Sequence, residues 1–149
     1  MTDNRPSRSK AEFRALREMV GMTQQHMARL LDVEVRSVKR WESSSMPTYH
    51  APQDAWDILD DSIAAQRRAV SFALGKVDEI AESAGHDPAT VELTYWTSQE
   101  DYATYHSIED GGDWRQANAN SRLVAFTLHE RGIGVRWIAG VESKVPKTL

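Results

Sequence analysis

Along the first third of the chain, apolar positions recur at the spacing of short helices. Phe13, Leu16, Met19 and Val20 form a run that starts at Ala11, and Gly21 closes it as a C-terminal helix cap does. Thr23 then stands as an N-cap ahead of Met27, Ala28, Leu30 and Leu31, which predicts a second helix from Gln24 to about Leu31. Asp32 and Val33 make a turn. From Glu34 to about Ser43, Val38 and Trp41 share one face while Arg36, Lys39 and Arg40 surround the other, so a short cationic helix is expected.

The pattern changes twice beyond that point. SSSMPTYHAP, from Ser43 to Pro52, holds two prolines and three serines and reads as a loop. From about Gln53, the residues Trp56, Leu59, Ile63, Val70, Leu74, Val77 and Ile80 mostly follow three- or four-residue steps, which predicts one long helix or two joined near Gly75. Such a helix is too long to hide its apolar stripe on a fifty-residue domain, so a further surface must cover it. Val91 to Trp96 is β-branched, aromatic and roughly alternating, hence a strand. A short helix follows from Gln99 to Tyr105, a turn at Asp110, a helix from Trp114 to about Arg131 closed by Gly132, and a second strand from Gly134 to Ile138. The fold class is mainly α with a small α+β C-terminal unit. Its expected parts are a flexible basic arm (1–10), a helical domain (11–50), a connecting helix or helices (51–85) and a small α+β domain (86–149).

Charge sharpens this division. The net charge is −4, but residues 1–50 hold nine Lys/Arg against six Asp/Glu, a balance of +3, and residues 51–149 hold nine against sixteen, a balance of −7. A phosphate-binding surface therefore belongs to the first third, and the acidic remainder should face away from nucleic acid. The first ten residues read as a mobile arm, whose Arg5, Arg8 and Lys10 are then in reach of a phosphate backbone, or as a plain disordered tail. The chain has no cysteine, no run of about eighteen apolar residues and no apolar stretch in its opening MTDNRPSRSK. A cytoplasmic protein with no disulfide, no membrane partner and no cofactor is expected.

The most informative segment is LREMVGMTQQHMARLLDVEVRSVKRWES, from Leu16 to Ser43. Ala28 is small where two helices must cross closely, and Met27, Leu31, Val33, Val38 and Trp41 are apolar where helices bury their faces. The segment resembles the helix-turn-helix of the Cro and phage-repressor (XRE-like) superfamily. Arg17, Gly21, Thr23, Gln24, Ala28, Val33, Trp41 and Glu42 stand at the positions of its pattern. The resemblance implies a lambda-repressor-like N-terminal bundle and double-stranded DNA as partner. It departs at Asp32, where the family usually has Gly or Asn, and at Glu34, where Ser or Thr more often caps the next helix. Asp tolerates the left-handed conformation that the turn requires. The Glu34 carboxylate has three uses open to it: capping, favouring the positive helix end, or accepting from cytosine N4; capping is the reading adopted.

By resemblance, Glu34, Val35, Arg36, Lys39 and Arg40 are candidates for the major groove, and Gln24 for a phosphate. Arg36 suits a bidentate contact with guanine O6 and N7, and Val35 suits a thymine methyl. The solvated surface of any cationic helix is the plain alternative. In the superfamily, the residues matching Arg17 and Glu42 pair internally, so both are read as structural, with Trp41 in the core.

The second half is similar to the C-terminal unit of YdiL-like proteins and of anti-CRISPR-associated repressors, with Trp114, Arg115, Asn118 and Ala125 matching. That resemblance implies a homodimer at an inverted repeat in its own promoter region, and RNA as a further ligand. Dimerisation has an independent reason, because one helix reads about four base pairs and a twofold dimer doubles the sequence read. The long apolar stripe with Tyr95, Trp96, Trp114 and Trp137 supplies apolar surface for a partner, or else the core of the monomer. An antitoxin with a DNA-binding half is the alternative function. His86, Asp87, His106, Glu109, Asp110 and Asp113 are potential metal or acid–base groups, but no H-E-x-x-H, phosphate loop or nucleophile elbow accompanies them, so no enzyme is expected.

Overall fold

Ser9, Thr23 and Asp113 each cap a helix with their side-chain oxygen, and these caps place the starts of three of the six helices. The computed structural model describes residues 8–105 and 113–140. In chain order the elements are α1 (Lys10–Met19), α2 (Gln24–Leu31), α3 (Val35–Glu42), α4 (Gln53–Ala84), β1 (Thr90–Tyr95), α5 (Gln99–Tyr105), α6 (Trp114–Glu130) and β2 (Gly134–Ala139). The protein is mainly helical with a two-stranded parallel sheet. Among the described residues, no helix is long and apolar enough to cross a membrane.

The ends of α1 and α2 share one device. Gly21, at φ 75°, lets its N–H reach Glu18 O (3.1 Å) while the Met22 N–H reaches Arg17 O (3.0 Å), so the chain reverses into Thr23. Asp32 takes the same left-handed place after α2 (φ 53°, ψ 48°), with the Val33 N–H on Ala28 O at 3.0 Å. It is the one non-glycine residue with positive φ among those described. The structure thus carries the turn expected at Asp32.

The chain divides into two compact units, residues 1–64 and 65–149. In the first, Phe13 meets the rings of Trp41 and Trp56 edge-on, with centroids 6.1 and 5.1 Å away. Val20, Met22, Met27, Ala28, Val38, Ala55 and Leu59 complete that core. In the second, Val77, Val124, Leu128 and Ile133 are buried, with Val70, Leu74, Val91, Leu93 and Val135 packed against them. α4 is one unbroken helix through Gly75, and its apolar stripe serves both cores: Ala55 and Leu59 in the first, Val77 in the second. The surface that the sequence requires to cover this stripe is largely the protein's own. Ile80 is the exception and stays exposed.

β1 and β2 pair in parallel from Thr90↔Gly134 to Tyr95↔Ala139. Parallel neighbours need a long crossover, and α5 and α6 lie in it. Just beyond β1, Trp96 turns inward against Tyr102, with ring centroids 5.4 Å apart. Its backbone N–H donates to Asn118 Oδ1 and its carbonyl accepts from Asn118 Nδ2, both at 2.8 Å, so a buried side chain satisfies both backbone groups of Trp96. Arg131 ties α6 to α4 and to the loop before β1 through Asp78 (2.6 Å) and Asp87 (2.9 Å). The Asp87 hydrogen bond first, and that of Asp78 second, hold this guanidinium above its ordinary pKa.

The four aromatics read as partner surface or core separate. Trp96 is buried, Trp114 is half-buried with the Arg115 guanidinium 4.3 Å from its ring, and Tyr95 and Trp137 stay exposed, edge-on to each other at 5.5 Å.

Candidate nucleic-acid interface

The α2–turn–α3 segment is held from behind by one buried polar cluster. Arg17 Nε and Nη2 donate to Glu42 Oε2 and Oε1 at 2.6 and 2.8 Å, and Arg17 Nη1 donates to Met22 O at 2.8 Å. Gln24 Nε2 donates to Glu42 Oε1 as well, at 3.2 Å. The end of α1, the start of α2 and the end of α3 are thereby tied together, in keeping with the structural reading of Arg17 and Glu42. Gln24, read from the sequence as a phosphate contact, has one amide N–H committed to this cluster.

Four of the eight described cations of the first unit have partners on α1, on α4 or at the end of α3. Arg8 forms a two-bond ion pair with Asp60 (2.8 and 3.0 Å) and lies 4.1 Å from the centroid of a Trp56 ring. The Lys10 ammonium donates to the carbonyls of Arg40 (2.9 Å), Trp41 (3.2 Å) and Tyr49, so it completes the C-terminal end of α3, where carbonyls lack helical partners and a cation is favoured. Neither residue is the loose phosphate-seeking cation that an arm implies. Arg5 lies outside the described residues. Arg14 is bound to Glu18 at 2.9 Å, and that hydrogen bond holds the Glu18 carboxyl below its ordinary pKa.

The remaining described cations of this unit belong to α2 and α3. Lys39 is exposed and has no ion pair among the described residues, and the same is true of Arg29 in the last turn of α2. Arg29 is absent from the motif-based set, although a cation so close to the turn is a signal the sequence carried. Arg36 is exposed, its Nε 2.8 Å from Glu34 Oε2. Arg40 is half-buried with its guanidinium 5.4 Å from the centroid of Tyr49.

One expectation at the start of α3 changes. Glu34 occupies the N-cap position (φ −74°, ψ 146°), but its side chain makes no capping hydrogen bond and turns to Arg36 instead. The carboxylate charge is instead paired with the guanidinium two residues on. Val35, proposed for a thymine methyl, is half-buried and packs against the core of the first unit.

No family model matches the chain, and no curated protein matches it significantly.

Of the titratable residues weighed for an enzyme, the described ones do not converge. Asp87 is paired with Arg131, Asp113 caps α6 by accepting from the Arg115 N–H at 2.8 Å, and His86 Nδ1 lies 2.9 Å from Asp87 O. His106, Glu109 and Asp110 lie outside the described residues. Among the described residues, no three His, Asp or Glu side chains cluster as metal ligands.

Proposed function

We propose that this chain is a sequence-specific DNA-binding transcriptional repressor whose α2–turn–α3 segment is a helix-turn-helix of the Cro and phage-repressor type. The observation that carries this reading is the distribution of cations. Arg8, Lys10 and Arg17 are engaged within the first unit, whereas Arg29 and Lys39, exposed on the two helices that flank the Asp32 turn, have no ion pair among the described residues, and Arg36 beside them is exposed and paired with the exposed Glu34. Such a surface neutralises phosphates and offers Arg36 to a base edge. α3 is the recognition helix, with Glu34, Arg36 and Lys39 toward the groove.

The acting species is a homodimer at an inverted repeat, as expected of an autorepressor of the anti-CRISPR-associated kind. Support comes from apolar surface left on the second unit: Phe72 is 69% exposed, Phe126 67%, and Ile80, Leu123, Tyr95 and Trp137 are exposed as well. A second copy seated on these side chains would take them out of water.

Selection of bound duplexes from random DNA by the full-length chain, followed by footprinting on its own upstream region, tests the reading. A palindromic motif protected at that promoter is expected. Enrichment of no sequence sinks it.

A further inference from the structure

In the surface proposed to meet DNA, one carboxylate sits where phosphate and base edges make a negative charge costly. Glu34 is exposed, it does not cap the helix whose N-cap position it holds, and its Oε2 lies 2.8 Å from Arg36 Nε. The guanidinium carries five N–H donors. The carboxylate approaches at Nε as an ion pair without hydrogen-bond geometry, so the paired Nη1 and Nη2 edge, the fork that fits O6 and N7 of guanine, is left for a base. Arg36 lies two residues into α3, while Lys39 one turn on has no ion pair among the described residues and Arg40 is stacked on Tyr49. Of the cations on α3, Arg36 is thus the one held by a carboxylate.

We propose that Glu34 is a positioning residue for Arg36: its charge, paired with the guanidinium beside Nε, restricts the long side chain before contact and thereby makes the Arg36 fork selective for guanine, at the expense of weaker attraction to DNA of any sequence. This rests on the reading of α3 as a recognition helix. Two opposing consequences follow from the one ion pair. Removing the carboxylate frees the rotamers of Arg36, so discrimination falls at the base Arg36 reads and nowhere else. It also removes a like charge beside the phosphates, so affinity for unrelated DNA rises. A merely structural role would lower both affinities and leave their ratio at that base unchanged.

The test uses the full-length chain with the selected duplex, the set of its single base-pair variants, and an unrelated duplex. Binding is measured for the wild type, Glu34→Ala, Glu34→Gln, Arg36→Ala and the double variant Glu34→Ala/Arg36→Ala. Arg36→Ala should lower discrimination at one base pair by about tenfold or more, within the range of one bidentate contact. Glu34→Ala should lower it at that same base pair by roughly threefold or more and raise affinity for the unrelated duplex, and Glu34→Gln, which keeps a neutral acceptor, should fall between it and the wild type. In the Arg36→Ala background, Glu34→Ala should change discrimination no further. If Arg36→Ala abolishes discrimination while Glu34→Ala leaves it intact, or lowers it at a different base pair, the positioning role is overturned and the DNA-binding reading stands. If Arg36→Ala selects an unchanged motif, or the wild type selects none, base reading by Arg36 fails and the positioning role with it.

Discussion

Arg17 and Glu42, twenty-five residues apart, meet as a two-bond ion pair at 2.6 and 2.8 Å with side chains only 8% and 4% exposed. Their remaining polar atoms are not left over: Arg17 Nη1 reaches Met22 O, and Gln24 joins at Glu42 Oε1. A buried pair with satisfied neighbours contributes little net free energy over a well-packed apolar pair, but it is costly to break from one side.

Truncating one partner should therefore expose that cost. Arg17→Ala or Glu42→Ala is expected to destabilise the protein by about 3–5 kcal/mol, and the double variant by clearly less than the sum of the two. Urea unfolding monitored by tryptophan fluorescence measures it. Strictly additive losses would mean that the two residues act independently.

Cations with internal partners and cations without them should separate in a salt titration. For a dimer that neutralises six to ten phosphates, affinity is expected to fall about a thousandfold to a hundred thousandfold between 50 and 200 mM salt. Lys39→Ala should weaken binding evenly across sequences and reduce the slope by about one. Lys10→Met should leave the slope unchanged while lowering stability by roughly 0.5–2 kcal/mol, because its ammonium serves the C-terminal carbonyls of α3. A slope lowered equally by both variants would put Lys10 on the DNA.

In the second unit, Asn118 satisfies both backbone groups of Trp96. Asn118→Ala is expected to cost about 2–4 kcal/mol, since it strands a buried donor and a buried acceptor together. Gly140→Ala should destabilise as well, because a Cβ there would overlap the six-membered ring of Trp96. Thermal unfolding of each variant decides it. A melting temperature unchanged by Asn118→Ala would show that water replaces the amide without loss.

Phe126 is exposed on α6, so a polar replacement should cost the fold little. If a second copy covers this surface, Phe126→Glu should raise the dimer dissociation constant by about thirtyfold or more. Sedimentation velocity reads the outcome. A wild-type chain that is monomeric at micromolar concentration sinks the dimer, and a variant as dimeric as the wild type removes Phe126 from the interface.

Local signals account for most of the elements. The Thr23 cap, the helix Gln24–Leu31, the helix Gln99–Tyr105 and the closures at Gly21 and Gly132 agree with the structure because each depends on residues within one or two turns of chain. The Arg17–Glu42 pair, by contrast, is legible only through the resemblance to the helix-turn-helix pattern, since nothing local joins positions so far apart. The destinations of Arg8 and Lys10 had no local signal at all. Asp60 and the α3 carbonyls reach them across long stretches of chain, so two cations that read as a phosphate-seeking arm are internal.

Periodicity and punctuation along the chain thus dictate where helices and strands begin, end and turn an apolar face, because those choices are settled by backbone sterics and by hydrogen bonds between near neighbours. Folding alone decides which partner each long polar side chain finds, that β1 and β2 run parallel, and that the stripe of α4 is shared between two cores. These outcomes depend on contacts between residues distant in sequence, and many pairings are compatible with the same local pattern until packing selects one. Glu34 shows the boundary most plainly: its position in the sequence marks the start of a helix, and only the folded surface gives its carboxylate to Arg36.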